Sequence, residues 1–165
     1  MNLHRLSPPE HLGPYRLQEP LGSGMDGAVY RACHTETGAE VALKTLQVPD
    51  PALMISIRRE AAALARLQHP GVVPICDQGV DHGLPWYAMA LLHGQELNRW
   101  VSDRLHRDTT PSASAWRDLW TALHRICEAL AYIHGEGVIH RDLKPSNIVV
   151  VDDQPVLIDF GMAFR

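Results

Sequence analysis

Apolar and polar residues alternate with the period of a half-buried strand over about 15–21, 28–34 and 39–46. Thr35-Glu36-Thr37-Gly38 supplies a turn between the last two. Pro49-Asp50-Pro51 then breaks the chain and starts a helix whose apolar face runs Leu53, Ile57, Ala61, Leu64, Leu67, with His69-Pro70 as its stop. Shorter strands are predicted near 72–76 and 85–91. Gly94 precedes a polar helix near 95–106, and a longer helix covers about 112–135. In that helix Trp116, Leu119, Trp120, Leu123, Ile126, Cys127, Leu130 and Ile133 are expected to form one continuous stripe, closed by Gly135 and Gly137. Residues 1–14 carry Ser7-Pro8-Pro9 and Gly13-Pro14 without periodicity and read as a leader.

Near the end, Ile148-Val149-Val150-Val151 and Val156-Leu157-Ile158 flank Asp152-Asp153-Gln154-Pro155, the pattern of a hairpin. With Val151 paired to Pro155, Asn147 falls opposite Asp159, and directly opposed residues lie close together. Two oxygen donors at a hairpin mouth, with Asp142 just upstream, suit Mg2+, which takes carboxylates, phosphate oxygens and water. Taken alone, the pair reads first as a surface hairpin with solvated polar ends.

Three upstream features bear on the choice. Gly22, Gly24 and Gly27 form a GxGxxG run, but Ala28-Val29-Tyr30-Arg31-Ala32 after it is strand-like, whereas a dinucleotide fold needs a helix there. A glycine hairpin whose N–H groups approach an anion fits the pattern; so does a plain turn. In Val41-Ala42-Leu43-Lys44, alternation puts Ala42 and Lys44 on one face, a small residue beside a cation, with room for a flat base and a grip on phosphate. A solvated strand lysine is the alternative. Glu60 lies between Ile57 and Leu64 on the apolar side of its helix and is the only acid from Pro51 to Pro70. There it either edges out to solvent or finds a cationic partner.

Together, Gly22-Ser23-Gly24-Met25-Asp26-Gly27-Ala28-Val29, Val41-Ala42-Leu43-Lys44, His140-Arg141-Asp142-Leu143-Lys144-Pro145-Ser146-Asn147 and Asp159-Phe160-Gly161 resemble, in order, the glycine loop, lysine strand, catalytic loop and metal motif of protein kinases. The resemblance runs from about Tyr15 to the last residue. It implies an α+β bilobal fold: a complete small lobe (an antiparallel sheet plus the family's helix αC) and only the first part of a helical large lobe. Residues 1–14 would be the leader, 15–92 the small lobe and hinge, and 93–165 the start of the large lobe.

The resemblance implies serine/threonine protein kinase activity, transfer of the ATP γ-phosphoryl group to protein hydroxyls with Mg2+ as cofactor. The Asp-x-Lys-x-x-Asn form at Asp142, Lys144 and Asn147 is similar to the serine/threonine branch. On this basis Asp142 would orient the acceptor hydroxyl, Lys144 would stabilise the transferring group, Lys44 would align phosphates with Glu60 as its partner, and Asn147 and Asp159 would hold Mg2+. Leu21, Gly22, Gly24, Gly27 and Val29 would cover the nucleotide. Ala42 and Val149 would sandwich the base with Val29, Met89 would be the gatekeeper, and the backbones of Ala90 and Leu92 would bond the base. Ordinary core packing is an alternative for each apolar one. His140 would pack with Phe160 and Leu64, and Arg141 would bind a phosphorylated activation segment.

The pattern departs from the family at Ala90, where Glu is frequent, and at Asp26, a negative charge at the glycine-loop tip. After Met162-Ala163-Phe164-Arg165 no activation segment or Ala-Pro-Glu motif follows. The expectation is therefore an N-terminal portion of a kinase domain with little or no protein kinase activity on its own, its long helix left wet. The alternative is a short non-catalytic module that binds nucleotide or a partner. Composition changes little: 45% apolar residues suit a globular core, and a net charge of −4 without basic clusters points away from nucleic acid and membrane surfaces. Cys33, Cys76 and Cys127 sit in apolar patterns and read as reduced core thiols; with no membrane-length run or signal peptide, a cytoplasmic setting is expected, with a protein substrate as partner.

Overall fold

In the computed structural model, residues 9–24, 27–46, 50–105 and 112–160 are described. They fall into two compact units, one built from the residues up to Arg66 and Pro74–Leu91, the other from Leu67–Val73 and the residues from Leu92 onwards.

The first unit is a six-stranded antiparallel sheet with one helix. Strands β1 (His11–Leu12), β2 (Tyr15–Gly24), β3 (Gly27–His34), β4 (Glu40–Thr45), β5 (Ile75–Asp81) and β6 (Leu84–Ala90) lie in the order β1-β2-β3-β4-β6-β5. Helix α1 (Pro51–Leu64) begins where Asp50 accepts from the N–H groups of Ala52 (2.8 Å) and Leu53 (3.0 Å), with Pro51 preset for the first turn. One sheet face buries Leu12, Tyr15, Ala32, Val41, Leu43, Trp86 and Ala88 together. Tyr15 meets Trp86 edge-on at 5.5 Å between centroids. The expected leader is thus partly structured: Leu12 is fully buried and β1 pairs with β2, held also by Asp81, which accepts from the Gly13 N–H at 2.8 Å. A two-residue strand is too short to show periodicity.

The strand expected at 72–76 lies instead at Ile75–Asp81. Its residues alternate between half-buried and exposed, as an edge strand does, and carry two acids and a glycine, so no apolar pattern marks it. His82 and Gly83 turn it into β6 with φ of 50° and 75°, the conformation of a tight two-residue hairpin. Val72 and Val73, the apolar pair that suggested a strand, belong to the second unit.

That unit contains β7 (Gln95–Glu96), α2 (Leu97–Leu105), α3 (Ala113–Gly135), a single 3-10 turn (Pro145–Asn147), β8 (Ile148–Val151) and β9 (Gln154–Leu157), with the strands in the order β7-β8-β9. A Cβ on Gly94 would collide with the Val150 carbonyl oxygen, so glycine is what lets the chain come close enough to start β7. Val72 and Val73 flank the outer edge of β9: the Val73 N–H donates to the Leu157 carbonyl (3.0 Å) and the Leu157 N–H to the Gly71 carbonyl (2.9 Å). The same segment is tied to α3, because the Tyr132 hydroxyl accepts from the Gln68 N–H at 2.8 Å and its ring stacks on His69.

The long helix does not bury one continuous stripe. Ala115, Ala122, Ile126, Ala129 and Ile133 face inward, while Trp116 and Trp120 are 46% and 66% exposed and Leu123 and Cys127 are exposed beside them. Neighbouring positions on a helix are about 100° apart, so residues adjacent in sequence, such as Ala115 and Trp116, take different faces. The inward face is rich in alanine because the backbone packs close: a Cβ on Gly71 would stand 2.8 Å from that of Ala129. Cys76 is exposed too, which corrects the expectation of core thiols at Cys76 and Cys127; Cys33 is half-buried, and all three are free.

The β8–β9 hairpin has a one-residue difference from the expected register. Val151 pairs with Gln154, not Pro155, so Asn147 falls opposite Ile158 and Asp159 lies one position beyond. Asp152 and Asp153 form the two-residue turn, both with positive φ (48° and 61°), which Asp tolerates better than most residues. Pro155 then pairs with Val150 at a position where antiparallel strands exchange no hydrogen bonds, so its missing N–H costs nothing. Beside the hairpin mouth, buried His140 packs against Phe160 with the rings tilted at 41° and 4.6 Å between centroids, and its Nε2 lies 3.1 Å from the Ile158 carbonyl oxygen.

Two outcomes follow from this packing. Replacing Trp116 and Trp120 with Gln should lower the binding of a hydrophobic dye while leaving stability within about 0.5 kcal/mol per site; a collapse of the melting transition would show that the two rings are packed, not wet. Burial lowers the His140 pKa below its ordinary 6.5 against the opposing effect of the Ile158 carbonyl. The neutral ring is therefore favoured in the folded state, and its contribution is present above pH 6.5 and lost as pH falls below it. The melting-temperature advantage of the parent over His140→Asn should shrink between pH 7.5 and 5.5; a constant difference would refute it.

Candidate functional site

In the first unit the candidate residues are set out by strand register. Val29 pairs with Lys44 and Ala42 with Met89, so Val29, Ala42, Lys44 and Met89 share one face of the sheet, opposite the face that buries Val41 and Leu43. From that face the Lys44 ammonium reaches Glu60 of α1, with Nζ 2.9 Å and 3.0 Å from the two carboxylate oxygens. Lys44 is 5% exposed and Glu60 1%. Each charge offsets the cost of burying the other; removing one partner of such a pair typically costs about 3–5 kcal/mol.

The glycine run forms the end of the β2–β3 hairpin, in which Gly22 pairs with Val29 and Gly24 with Gly27. Gly27 has a φ of 134°, and a Cβ there would strike the Thr45 carbonyl oxygen, so a side chain is excluded on two counts. Around Gly22 the space is open. Leu21 is exposed, and Asp26 lies outside the described residues. At the other end of the sheet the Ala90 N–H donates to the Pro74 carbonyl (3.1 Å), so that group is already committed. Leu92 and Val149, both half-buried, are in the second unit.

The second unit gathers Asp142, Lys144 and Asn147. Lys144 Nζ is 2.7 Å from Asp142 Oδ2, and the Asn147 side-chain amide donates to the same oxygen (3.1 Å) and to the Asp142 carbonyl (2.9 Å). The local fold dictates this. Pro145 starts a single 3-10 turn, the Asn147 N–H closes it on the Lys144 carbonyl, and the Asn147 carbonyl accepts from Ile158 across the hairpin mouth. Buried Asn147 therefore has both main-chain groups and its amide nitrogen committed. Sequence reasoning treated Asn147 as a metal ligand alone. Its grip on Asp142 was missed, although a spacing of five across a proline turn is a signal that could have shown it.

Electrostatics within this group are mutual. The hydrogen bond from Lys144 holds the Asp142 carboxyl below its ordinary range, with Asn147 adding to it, and Asp142 in turn raises Lys144. At neutral pH both are charged. Asp159 is exposed and has a left-handed φ of 59°, and Arg141 a φ of 61°, uncommon for residues other than glycine and of the kind held where the surroundings over-determine the backbone.

The donor set suits Mg2+. With its nitrogen bonded to Asp142, the Asn147 amide has only Oδ1 to offer a cation, and Asp159 adds a carboxylate, both hard oxygens. Among the described residues no three His, Cys, Asp or Glu side chains cluster as a metal cage. That is what Mg2+ needs least, since it ordinarily keeps waters and takes phosphate oxygens beside one or two carboxylates.

Comparison with known proteins bears on the whole span. The family model described as "Protein kinase domain" matches residues 15–165. Serine/threonine-protein kinase PknH of Mycobacterium bovis is 40% identical over 155 residues, covering 92% of this chain and 25% of the relative. Serine/threonine-protein kinase PkaA of Streptomyces coelicolor is 39% identical over 167 residues, covering 90% of this chain and 30% of that protein. Serine/threonine-protein kinase PknD of Chlamydia abortus is 34% identical over 158 residues. The chain thus spans about a quarter of the length of the curated relatives it matches. Since the model covers nearly all of it, the chain belongs to the protein kinase family.

Proposed function

We propose that these residues are the nucleotide-handling and acceptor-handling part of a serine/threonine protein kinase that transfers the ATP γ-phosphoryl group to protein hydroxyls. The observation that carries this reading is the buried Lys44–Glu60 pair. A sheet gains little stability from burying an ammonium with a carboxylate, since apolar residues of the same shape do as well or better. A strand cation held at a fixed place is, however, what aligning phosphates requires. The names of the relatives support the choice of serine and threonine as acceptors.

In this reading Val29, Ala42 and Val149 pack on the base, with Leu21 covering it, Met89 behind it and the backbone of Ala90 and Leu92 bonding it. Gly22, Gly24 and Gly27 let main-chain N–H groups approach the phosphates. Asn147 and Asp159 hold Mg2+, which when bound neutralises charge on the phosphate oxygens. Asp142 accepts a hydrogen bond from the acceptor hydroxyl and orients it. Its lowered pKa makes it a weak base, so its contribution is placement of the nucleophile and late receipt of the proton rather than its removal beforehand. Lys144, already drawn to Asp142, supplies positive charge beside the transferring group. Among the described residues no helix is long and apolar enough to cross a membrane; a cytoplasmic placement of this span is proposed because ATP is there.

The chain makes the reading unusually easy to test, because Lys44 and Lys144 are its only lysines. An acyl-phosphate derivative of ATP should acylate Lys44, Lys144 or both, and excess Mg-ATP should suppress it, as read by peptide mass mapping. Labelling confined to the amino terminus, or unaffected by ATP, would sink the proposal. In the full-length kinase, Asp142→Asn should lower phosphate transfer to a serine/threonine peptide by about 100-fold or more with the melting temperature little changed. Activity within a few-fold of the parent would remove Asp142 from the role given to it.

A further inference from the structure

The turn of the β8–β9 hairpin is held by a cluster that the proposed function does not use. The Asp153 carboxylate pairs with the Arg104 guanidinium and accepts from Trp100 Nε1 at 3.2 Å, both on α2. Its main-chain carbonyl accepts from Arg125 Nη1 of α3 at 2.8 Å. The Arg104 guanidinium carbon sits over the Trp100 ring, 3.8 Å from the centroid, and its Nε is 3.8 Å from Asp118 of α3. Trp100 itself is buried. Donors from two helices thus converge on one residue of a two-residue turn whose φ angles are both left-handed.

We propose that Asp153 is a positioning residue for the opposite end of its hairpin, where Asn147 and Asp159 lie. This rests on reading those two as Mg2+ ligands. Each strand is only four residues long, so the turn is about 13 Å from the ligand end, and a tilt of about 10° at the turn moves that end by about 2 Å. Mg2+ demands near-ideal octahedral geometry and tolerates no such displacement. The clamp also refers the hairpin to α3, and the chain leaving α3 leads directly to Asp142 and Lys144. Holding the turn against α3 therefore sets the metal ligands relative to the acceptor-orienting carboxylate. The Asp153 side chain is 65% exposed, and an exposed ion pair adds little to global stability. Its loss should show in the metal requirement rather than in folding.

The test is a Mg2+ titration of the full chain at fixed ATP, read as the metal concentration that gives half of the nucleotide-induced rise in melting temperature. Asp153→Asn and Arg104→Gln should each raise that midpoint three- to tenfold, with melting temperatures without ligand within a few degrees of the parent. Arg104→Lys, which keeps the charge, should recover part of the loss. Midpoints equal to the parent in both variants, whether or not the ligand-free melting temperature falls, would overturn the proposal. Asp159→Ala separates the two layers of inference. If it abolishes the Mg2+ response while the Asp153 and Arg104 variants keep the parental midpoint, only the positioning role fails. If it leaves the midpoint unmoved, the assignment of the metal ligands fails and the positioning role with it.

Discussion

The buried Lys44–Glu60 ion pair is the constraint on which the first unit depends. Neither charge could stay inside alone, so every feature that brings them together has to hold at once. Strand β4 must present Lys44 on the face away from Val41 and Leu43, and α1 must turn Glu60 inward between Ile57 and Leu64. Cap residue Asp50 and Pro51 fix where that helix begins, and hence which of its residues face the sheet. A one-residue shift in either element would leave an unpaired charge among apolar groups, a penalty larger than any single contact nearby could offset.

The second unit obeys a parallel rule with hydrogen bonds in place of buried charge. Asn147 spends its main-chain groups on closing a turn and a hairpin and its amide nitrogen on Asp142. The carboxylate that would meet the acceptor and the amide oxygen that would meet the metal are therefore fixed by one residue. Lys144, the other partner of Asp142, is exposed and free to exchange that bond for a phosphate as charge develops. A fixed donor and a movable one on the same oxygen is an arrangement that can orient a nucleophile and still respond to the reaction.

Much of this was legible in the sequence, and the exceptions share a cause. The longer strands and both long helices follow from periodicity, and Glu60 stood out as a lone acid on an apolar face. What escaped were features fixed by distant partners. Strand β5 has no apolar pattern because it is an edge, and Val72 and Val73 imitated a strand because they flank β9. The hairpin register slipped by one because Gln154 was counted in the turn, whereas it opens β9 opposite Val151 and moves Pro155 to a position that needs no N–H. The apolar residues of α3 merged into one stripe because periodicity shows that a helix has faces but not how wide its buried face is; that depends on how closely the backbone approaches Gly71 and β9. Asp153 could not be read at all, since its partners Arg104 and Arg125 lie 49 and 28 residues away.

The division of labour between the two cationic side chains makes physical sense of the whole. Of 15 Lys and Arg residues, 13 are Arg and two are Lys. The arginines whose contacts are seen bind protein: Arg31 to Glu19 and Glu40, Arg104 to Asp153 and Asp118, Arg125 to a turn carbonyl. A planar fork with five donors suits such fixed, multi-point attachment. Lysine appears only at the two places where a charge would have to act on a phosphate whose oxygens shift position during transfer. There a compact ammonium with rotatable donors is the better instrument, because it follows the charge without being committed to one plane. An arginine at position 44 could keep the charge opposite Glu60, but its larger, rigid head would compete for the room that Ala42 leaves beside it. Arg31, Arg104 and Arg125 hold protein groups at fixed points, whereas the roles proposed for Lys44 and Lys144 ask each ammonium to keep its carboxylate partner and still follow a phosphate.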